Sequence, residues 1–523
     1  MKTIISTKEI IKIFEQLAVL LELKGESPFK SRAYIKTARV LQEMEEEPHY
    51  LLKDGKLPKI SGMGKSSLEK LEELLNTGQM TYYNELKSSF PDTLLDLLKV
   101  PGIGPKKVRV MYEKLGIDGL ESLEEACKED RLLELDGFGK KTQEKILQGI
   151  AYIRKHQGRY RLNLAYPASK EIYSFLEGMP EVLDVETAGS LRRGKETVKD
   201  LDFVVSTNDS QVVMDAFVKH PLAYSIIAHG QTKSSITLES GLNVDLRTVL
   251  PEQFPYALMH FTGSKEHNTT MRVRAKERGL KLNEYGLFRG EDNVPCVSET
   301  EIYKALDLHF IPPEMREDRK EFELAEKQDI QKLVSLEQLK GTFHAHTTYS
   351  DGNATLEEMA VASMEMGYAY LGITDHSRSA YYAGGLSIKE VEKQHQEIDE
   401  VNQKFADKGF RLFKGIESDI LADGALDYPE EILQSFDFII ASVHSQFNLT
   451  KENMTNRIIR AIEHPCTTML GHPTGRLLLT RDGYDLDMYK IIDAAIANQV
   501  VIEINANPHR LDIDWRLLDY GKE

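Results

Sequence analysis

The sequence predicts a multidomain chain in three architectures: a helical N-terminal region, an α+β middle and a C-terminal α/β barrel. Three observations carry that reading. A Gly-x-Gly turn with a trailing lysine recurs three times before residue 160, short apolar strands bearing carboxylates follow, and after Lys340 come six short strands with metal-type residues at their ends. The 523 residues exceed one ordinary core, and 41% apolar with 28% charged residues marks folded globular domains.

The N-terminal elements read as helices. Ile10, Ile11, Phe14, Leu17, Ala18 and Leu21 fall at helical spacing, and Lys8, Glu9, Lys12 and Glu15 interrupt the apolar run, so this is an amphipathic helix and not a signal peptide. SGMGKSSLEKLEELL (61–75), PGIGPKKVRVMYEKLG (101–116) and DGFGKKTQEKILQGI (136–150) repeat one pattern. One such turn is an ordinary helix cap. Three, each opening a helix whose first N–H groups are unpaired and each followed by lysines, suit phosphate oxygens. The predicted contacts are Gly62, Gly64, Lys65, Gly102, Gly104, Lys106, Lys107, Gly137 and Gly139, with Arg109, Lys140 and Lys141 adding charge without reading bases.

The formal charge of −17 argues on its face against such a partner. Partitioned, it is +2 for residues 1–160, −6 for 161–340 and −13 for 341–523. The last block also holds 8 of the 15 histidines, so its carboxylates and imidazoles together suit metal ions. The three cysteines, Cys127, Cys296 and Cys466, are too far apart for a disulfide framework or a thiolate zinc motif, which predicts a reducing cytoplasm. No apolar run approaches the roughly 18 residues of a membrane span.

In the middle block, Asp200 and Asp202 precede an apolar strand and face the same way. Carboxylates so placed repel unless a cation lies between them. Asp245, in the strand NVDLRTVL (243–250), adds a third, and three carboxylates on adjacent strands can hold two Mg²⁺ ions for phosphoryl chemistry. Upstream, GSLRRG (189–194) offers a Gly-Ser turn and two arginines suited to a triphosphate. Pro312-Pro313 and the charge-dense stretch after it predict a connector with a solvated helix.

In the last block the strands TFHAHT, YLGITDH, LFKGIES, FIIASVH, TMLGHP and VVIEINA alternate with helices. His344, His346, Asp351, His376, Glu417, His444 and His472 sit at or beside strand ends, where an α/β barrel carries its active site. One strand-end histidine is ordinarily structural; five with a Glu and an Asp form a metal set.

These motifs resemble known families. The N-terminal repeats resemble helix-hairpin-helix motifs, which implies DNA-backbone binding. Gly-Ser, Arg-Arg-Gly and the three Asp resemble the nucleotidyltransferase fold, and FTGSKEHNTTMRVRAKERGLKLNEYGLF (261–288) resembles the nucleotide and template region of family X DNA polymerases, the DNA polymerase beta relatives. The resemblance implies Asp200, Asp202 and Asp245 as the catalytic, Mg²⁺- or Mn²⁺-binding triad, with Asp245 as base for the primer 3′-hydroxyl. It implies Gly189, Ser190 and Arg193 at the triphosphate, Gly263, Lys265 and Asn268 at the incoming nucleotide, and Arg272 on the template side. Lys265 stands where vertebrate relatives carry an acidic residue, and His260 where they carry Tyr. Lys70 lies where the family's Schiff-base lysine lies, with SRAYIKTA (31–38) opposite it. The histidine set resembles the PHP domain, a distorted (βα)₇ barrel with a Mn²⁺ or Zn²⁺ phosphoesterase centre, which implies 3′→5′ exonuclease and AP endonuclease activity.

The expected domains are 1–90 (lyase-like), 91–158 (second and third hairpins), 159–255 (palm), 256–315 (nucleotide and template contacts), 316–340 (linker) and 341–523 (PHP). The expected partners are gapped or primer-template DNA and dNTPs, with no membrane, for a cytoplasmic monomer that fills short gaps in DNA repair. The alternative is a DNA-binding PHP nuclease or scaffold whose polymerase half only positions DNA. PHP relatives close their metal site with a late Asp-x-His pair, and the sequence reaches Glu523 before any such pair. The expectation is therefore an incomplete barrel with two ligands missing.

Overall fold

The computed structural model describes residues 5, 7–42, 44, 48–53, 63–156, 158–330 and 332–522, so predicted Gly62 lies outside the described residues. The chain divides into two compact units, 1–157 and 158–523.

The first unit is helical. Thr7–Leu23 buries Ile10, Phe14, Leu17 and Leu21 on one stripe, the face its periodicity predicts. That stripe shares a core with Leu41, Leu71, Leu74, Leu94, Leu97, Met111 and Leu132. Lys65–Thr77, Pro105–Leu115 and Lys140–His156 each begin directly after the second glycine of a repeat. Pro105 occupies the first turn, where a missing N–H costs nothing.

In the second unit the palm is a five-stranded sheet in the order Val182–Thr187, Asp200–Thr207, Asn243–Val249, Lys233–Leu238, Ala223–His229. The central pair is parallel and its neighbours antiparallel. Along Asp200–Thr207, Leu201, Phe203 and Val205 face one core, with Ile172 and Phe217. Val204 faces another, with Ala188 and Ala257. Period-two alternation puts Asp200 and Asp202 on the Val204 face, beneath the helix Phe254–Thr262.

Helices Phe254–Thr262, Lys265–Glu277 and Glu299–Ala305 and a three-stranded meander enclose a further core of Tyr256, Met271, Leu287, Ile302 and Tyr303. The expected solvated connector departs from this plan. Arg316 and Glu321 are buried, and Ala325, on the short helix Glu321–Glu326, packs into the same core. Charge density suggested solvent there, but each ion has a partner: Arg316 Nη1 donates to Glu299 at 2.6 Å, and Glu321 meets His267 Nδ1 at 3.1 Å.

The last part is one parallel sheet of six strands in sequence order: Gly341–Ala345, Tyr370–Ile373, Arg411–Asp419, Phe438–Ser442, Met469–Leu470 and Val501–Ile502. All six predicted strands form, with helices such as Leu356–Glu365 and Ile388–Lys404 between them. The sheet stays open, since no described strand pairs the first with the last. Parallel order carries every strand's C-terminal end to one side.

Candidate active sites and DNA-contact surfaces

At the hairpins, a Cβ added to Gly64, Gly102, Gly104, Gly137 or Gly139 would meet nothing within 4 Å. Gly102 and Gly137 need glycine for φ values of +81° and +84°. Gly64 and Gly104 have φ of −78° and −102°, which any residue adopts. Both are the N-cap residues of their helices, where glycine is an ordinary choice, and both leave open space over the turn. Lys65, Lys106, Lys140 and Lys141 are exposed beside these turns. Lys107 differs: it donates to Gly102 O at 3.0 Å and lies 5.6 Å from the Phe138 ring, tying two repeats together.

Lys70 lies on the Lys65–Thr77 helix, its ammonium 5.0 Å from the Tyr82 ring and 5.7 Å from Tyr34, donating to Ser66 Oγ at 2.9 Å. Tyr34 belongs to Pro28–Gln42, the helix containing SRAYIKTA, and Thr37 from that helix reaches Ser67 Oγ at 2.8 Å.

The palm register sets Asp202 directly opposite Asp245, with Asp200 two residues along the same face. Burial, and the neighbouring charges of Asp200 and Asp245, push the Asp202 carboxyl up to about 7. Asp245 is held at both oxygens, by Ser235 Oγ at 2.6 Å and Lys233 Nζ at 2.6 Å. Lys233 escaped the sequence reading because a lysine on a strand carries no motif. Gly189, at φ +59°, lies so close that a Cβ there would sit 2.0 Å from Asp202 Oδ2. Ser190 follows it in the short helix Gly189–Arg192.

Five of the other predicted residues, Arg193, Gly263, Lys265, Asn268 and Arg272, line one cavity of ≈ 320 Å³ together with His260 and Phe261. Arg193 pairs with Glu317 at 2.9 Å and donates to Thr262 O. Asn268 donates to His260 O at 2.6 Å, while its own Oδ1 is buried without a partner. A cationic, partly unsatisfied pocket fits a nucleoside triphosphate, and three carboxylates aligned on adjacent strands fit divalent ions.

At the C-terminal strand ends, Glu417 is fully buried among five imidazoles. His344, His472 and His444 approach Oε1 at 3.0, 2.9 and 3.2 Å, and His376 and His346 approach Oε2 at 2.9 and 3.4 Å. The cluster draws Glu417 well below the usual carboxylate range, although burial alone would raise it. Glu417 and Glu503 raise His344 to about 10 against the opposing effect of burial. Asp351 completes the predicted set, 2.8 Å from His346 Nδ1 and 3.6 Å from His376 Nε2. Three ligand groups overlap here: His344–Glu417–His472, His346–Asp351–His376 and His376–Glu417–His444. His376 Nδ1 and Glu417 Oε2 lie close without forming a proper hydrogen bond, and His472 Nδ1 is buried with no partner. Donor atoms crowded in this way fit metal ions better than protons.

All seven predicted ligands thus line or adjoin one cavity of ≈ 1000 Å³. Two carboxylates that the sequence reading passed over hold the rings from behind: Glu503 on His344 Nδ1 at 2.5 Å and Asp419 on His444 Nδ1 at 2.6 Å. Both flank strands already identified, so the strand-end rule that selected Glu417 would have found them.

Among the described residues no helix is long and apolar enough to cross a membrane.

Four segments of the chain match known domain models. Residues 6–80 match a helix-hairpin-helix domain model, 94–151 a SAM-like helix-hairpin-helix tandem, 257–317 the DNA polymerase beta thumb and 342–507 the PHP domain. The chain is 40% identical to DNA polymerase/3′-5′ exonuclease PolX of Bacillus subtilis over 510 residues, covering 97% of this chain and 88% of that one. It is 24% identical to DNA polymerase lambda of Arabidopsis thaliana, covering 59% of this chain and 62% of the relative. It is 29% identical to repair DNA polymerase X of African swine fever virus (strain Badajoz 1971 Vero-adapted) over a third of this chain and 98% of that protein. With thumb, hairpin tandem and PHP domain in one order along nearly the full length of a PolX relative, the chain belongs to the family X DNA polymerases of the PolX type.

Proposed function

We propose that this chain extends a primer 3′-hydroxyl by template-directed addition of dNMP at short gaps in DNA, and that its PHP domain removes nucleotides from 3′ ends. The observation that carries the first activity is the register that pairs Asp202 with Asp245 and sets Asp200 on the same face. Asp200, Asp202 and Asp245 would hold Mg²⁺ or Mn²⁺, which supplies charge neutralisation for phosphoryl transfer. Lys233 and Ser235 fix Asp245 with one oxygen each, so its remaining lone pairs stay aimed where a primer hydroxyl proton would be accepted. Arg193 exchanges Glu317 for triphosphate oxygens, and the free Asn268 Oδ1 accepts from the incoming nucleotide. The open glycine turns at 64, 102, 104, 137 and 139 let DNA phosphates approach backbone N–H groups without reading sequence.

For the second activity, His344, His346, Asp351, His376, Glu417, His444 and His472 would hold Mn²⁺ or Zn²⁺, while Glu503 and Asp419 orient two of the rings. Single-nucleotide gap filling tests both at once. Asp202→Ala is expected to abolish extension with gel-shift binding intact, and His344→Ala to abolish Mn²⁺-dependent 3′ trimming with extension intact. Extension by Asp202→Ala at the wild-type rate would falsify the triad.

A second reading concerns Lys70. It stands on the helix facing SRAYIKTA, 5.7 Å from the Tyr34 ring and 2.9 Å from Ser66 Oγ, the place at which the family resemblance sets a Schiff-base lysine for a 5′-deoxyribose phosphate. Borohydride trapping on incised abasic DNA is expected in the wild type and absent in Lys70→Ala.

A further inference from the structure

Outside both sets of predicted ligands, Glu430, His464 and Cys466 bring a carboxylate, an imidazole and a thiol within 4.8 Å of one another. Glu430 opens the helix Glu430–Leu433 ahead of the strand Phe438–Ser442, and His464 and Cys466 precede the strand Met469–Leu470. The cluster therefore lies at the N-terminal end of the parallel sheet, whereas His444 and His472 follow the opposite ends of the same two strands. We propose that Glu430, His464 and Cys466 form a separate site for a thiophilic divalent ion of the Zn²⁺ class, with water completing a tetrahedral set.

The donor chemistry decides the ion. Mg²⁺ and Mn²⁺ prefer oxygen, and a thiolate with one imidazole and one carboxylate selects zinc-like ions. Among the described residues no lysine or arginine pairs with Glu430; its carboxylate meets the Cys466 thiol at 3.5 Å, the Gln434 amide at 2.9 Å and His464 Nε2 at 3.4 Å. The supporting backbone is fixed. Thr467 N and Oγ1 bond His464 O and Ala461 O at 2.9 and 2.6 Å, and Pro429 and Pro465 limit both approaches. All three side chains reach solvent, so an ion can enter. Binding releases the thiol proton. Because His464 Nδ1 accepts the Cys466 N–H at 3.2 Å, it also shifts the ring proton from Nε2 to Nδ1 and turns the ring off that N–H. This rearrangement places the site among exchangeable, not permanently loaded, metals.

Cobalt separates this site from the other two, whose ligands contain no sulfur. The full chain is reduced, stripped with EDTA and titrated with Co²⁺. A near-ultraviolet thiolate-to-cobalt band is expected, with the amplitude of one thiolate-bound cobalt per chain, displaced by Zn²⁺, absent in Cys466→Ser and weakened at least tenfold in apparent affinity in His464→Ala. It is expected to persist in Asp202→Asn and His344→Ala. Zn²⁺ is also expected to raise the melting temperature of a His344→Ala background by more than it raises that of the same background carrying Cys466→Ser. A wild-type titration without the band, or a band that survives in Cys466→Ser, overturns the proposal. Cys127 and Cys296 are buried and are the sulfur sources such a surviving band would reveal.

Discussion

Gly189→Ala tests whether the polymerase centre depends on the backbone approach of the Gly-Ser turn to Asp202. Two costs follow. Gly189 sits at φ +59°, where an L side chain costs about 1–2 kcal/mol. The added Cβ would also stand 2.0 Å from Asp202 Oδ2, 2.9 Å from its Cγ and 3.3 Å from its Cβ. Rotating the carboxylate removes the first collision but leaves the second, so Asp202 itself must shift by roughly 1 Å to restore ordinary contact. A displacement of about 1 Å at a reacting group costs on the order of 10²-fold in rate. The expected phenotype is therefore a roughly 100-fold loss of kcat/KM in single-nucleotide gap filling, with the fold destabilised by about 2–5 kcal/mol once backbone strain and overpacking are both counted. DNA binding by gel shift and 3′ trimming by the PHP domain stay at wild-type levels, because neither uses the turn. Full extension activity in a folded Gly189→Ala protein would refute the assignment of Asp202 to the reacting centre.

Three further outcomes are expected. The Asp202 carboxyl rises from 3.8 to about 7 in the folded chain, so the native state holds this proton more tightly than the unfolded chain does, and the favourable contribution is lost as pH rises from 4 to 7. At about 1.36 kcal/mol per unit the upper bound is about 4 kcal/mol, so in EDTA Asp202→Asn is expected to melt above wild type at pH 8 and level with it at pH 4; equal melting at pH 8 would count against the shift. Glu299→Gln leaves Arg192 and buried Arg316 facing each other without their carboxylate, and is expected to cost about 3–5 kcal/mol in denaturant unfolding; a loss under 1 kcal/mol would mean water or another anion serves the pair. The single tryptophan, Trp515, faces Lys195 Nζ at 4.7 Å and the Arg319 guanidinium at 5.4 Å, so Lys195→Ala is expected to change its emission, and an unchanged spectrum would deny the contact.

What was legible in the sequence was whatever a period or a local motif encodes. The three hairpin glycine pairs mark helix starts because turn chemistry is local, and the strand-end histidines announce the metal cluster because parallel strands deliver all their C-terminal residues to one side. Asp200 and Asp202 could be placed on one face by parity alone, but their alignment with Asp245 is a register, fixed only when the two strands pair. The misread stretch was 316–325, where charge density suggested solvent; burial of Arg316 depends on Glu299, which lies 17 residues away in a helix of its own. Lys233 belongs to the same class, acting by touching a functional residue brought to it by the fold, whereas Glu503 and Asp419 stand at strand ends, where the rule that selected Glu417 also points. These supporting groups also set the charge state of the residues the motifs reveal. Glu417 remains ionised while buried because its imidazoles are polarised from behind by Glu503 and Asp419, so removing either outer carboxylate weakens the ligands themselves and not merely their posture. The motif names the atoms that bind; the second ring of contacts determines how strongly they can.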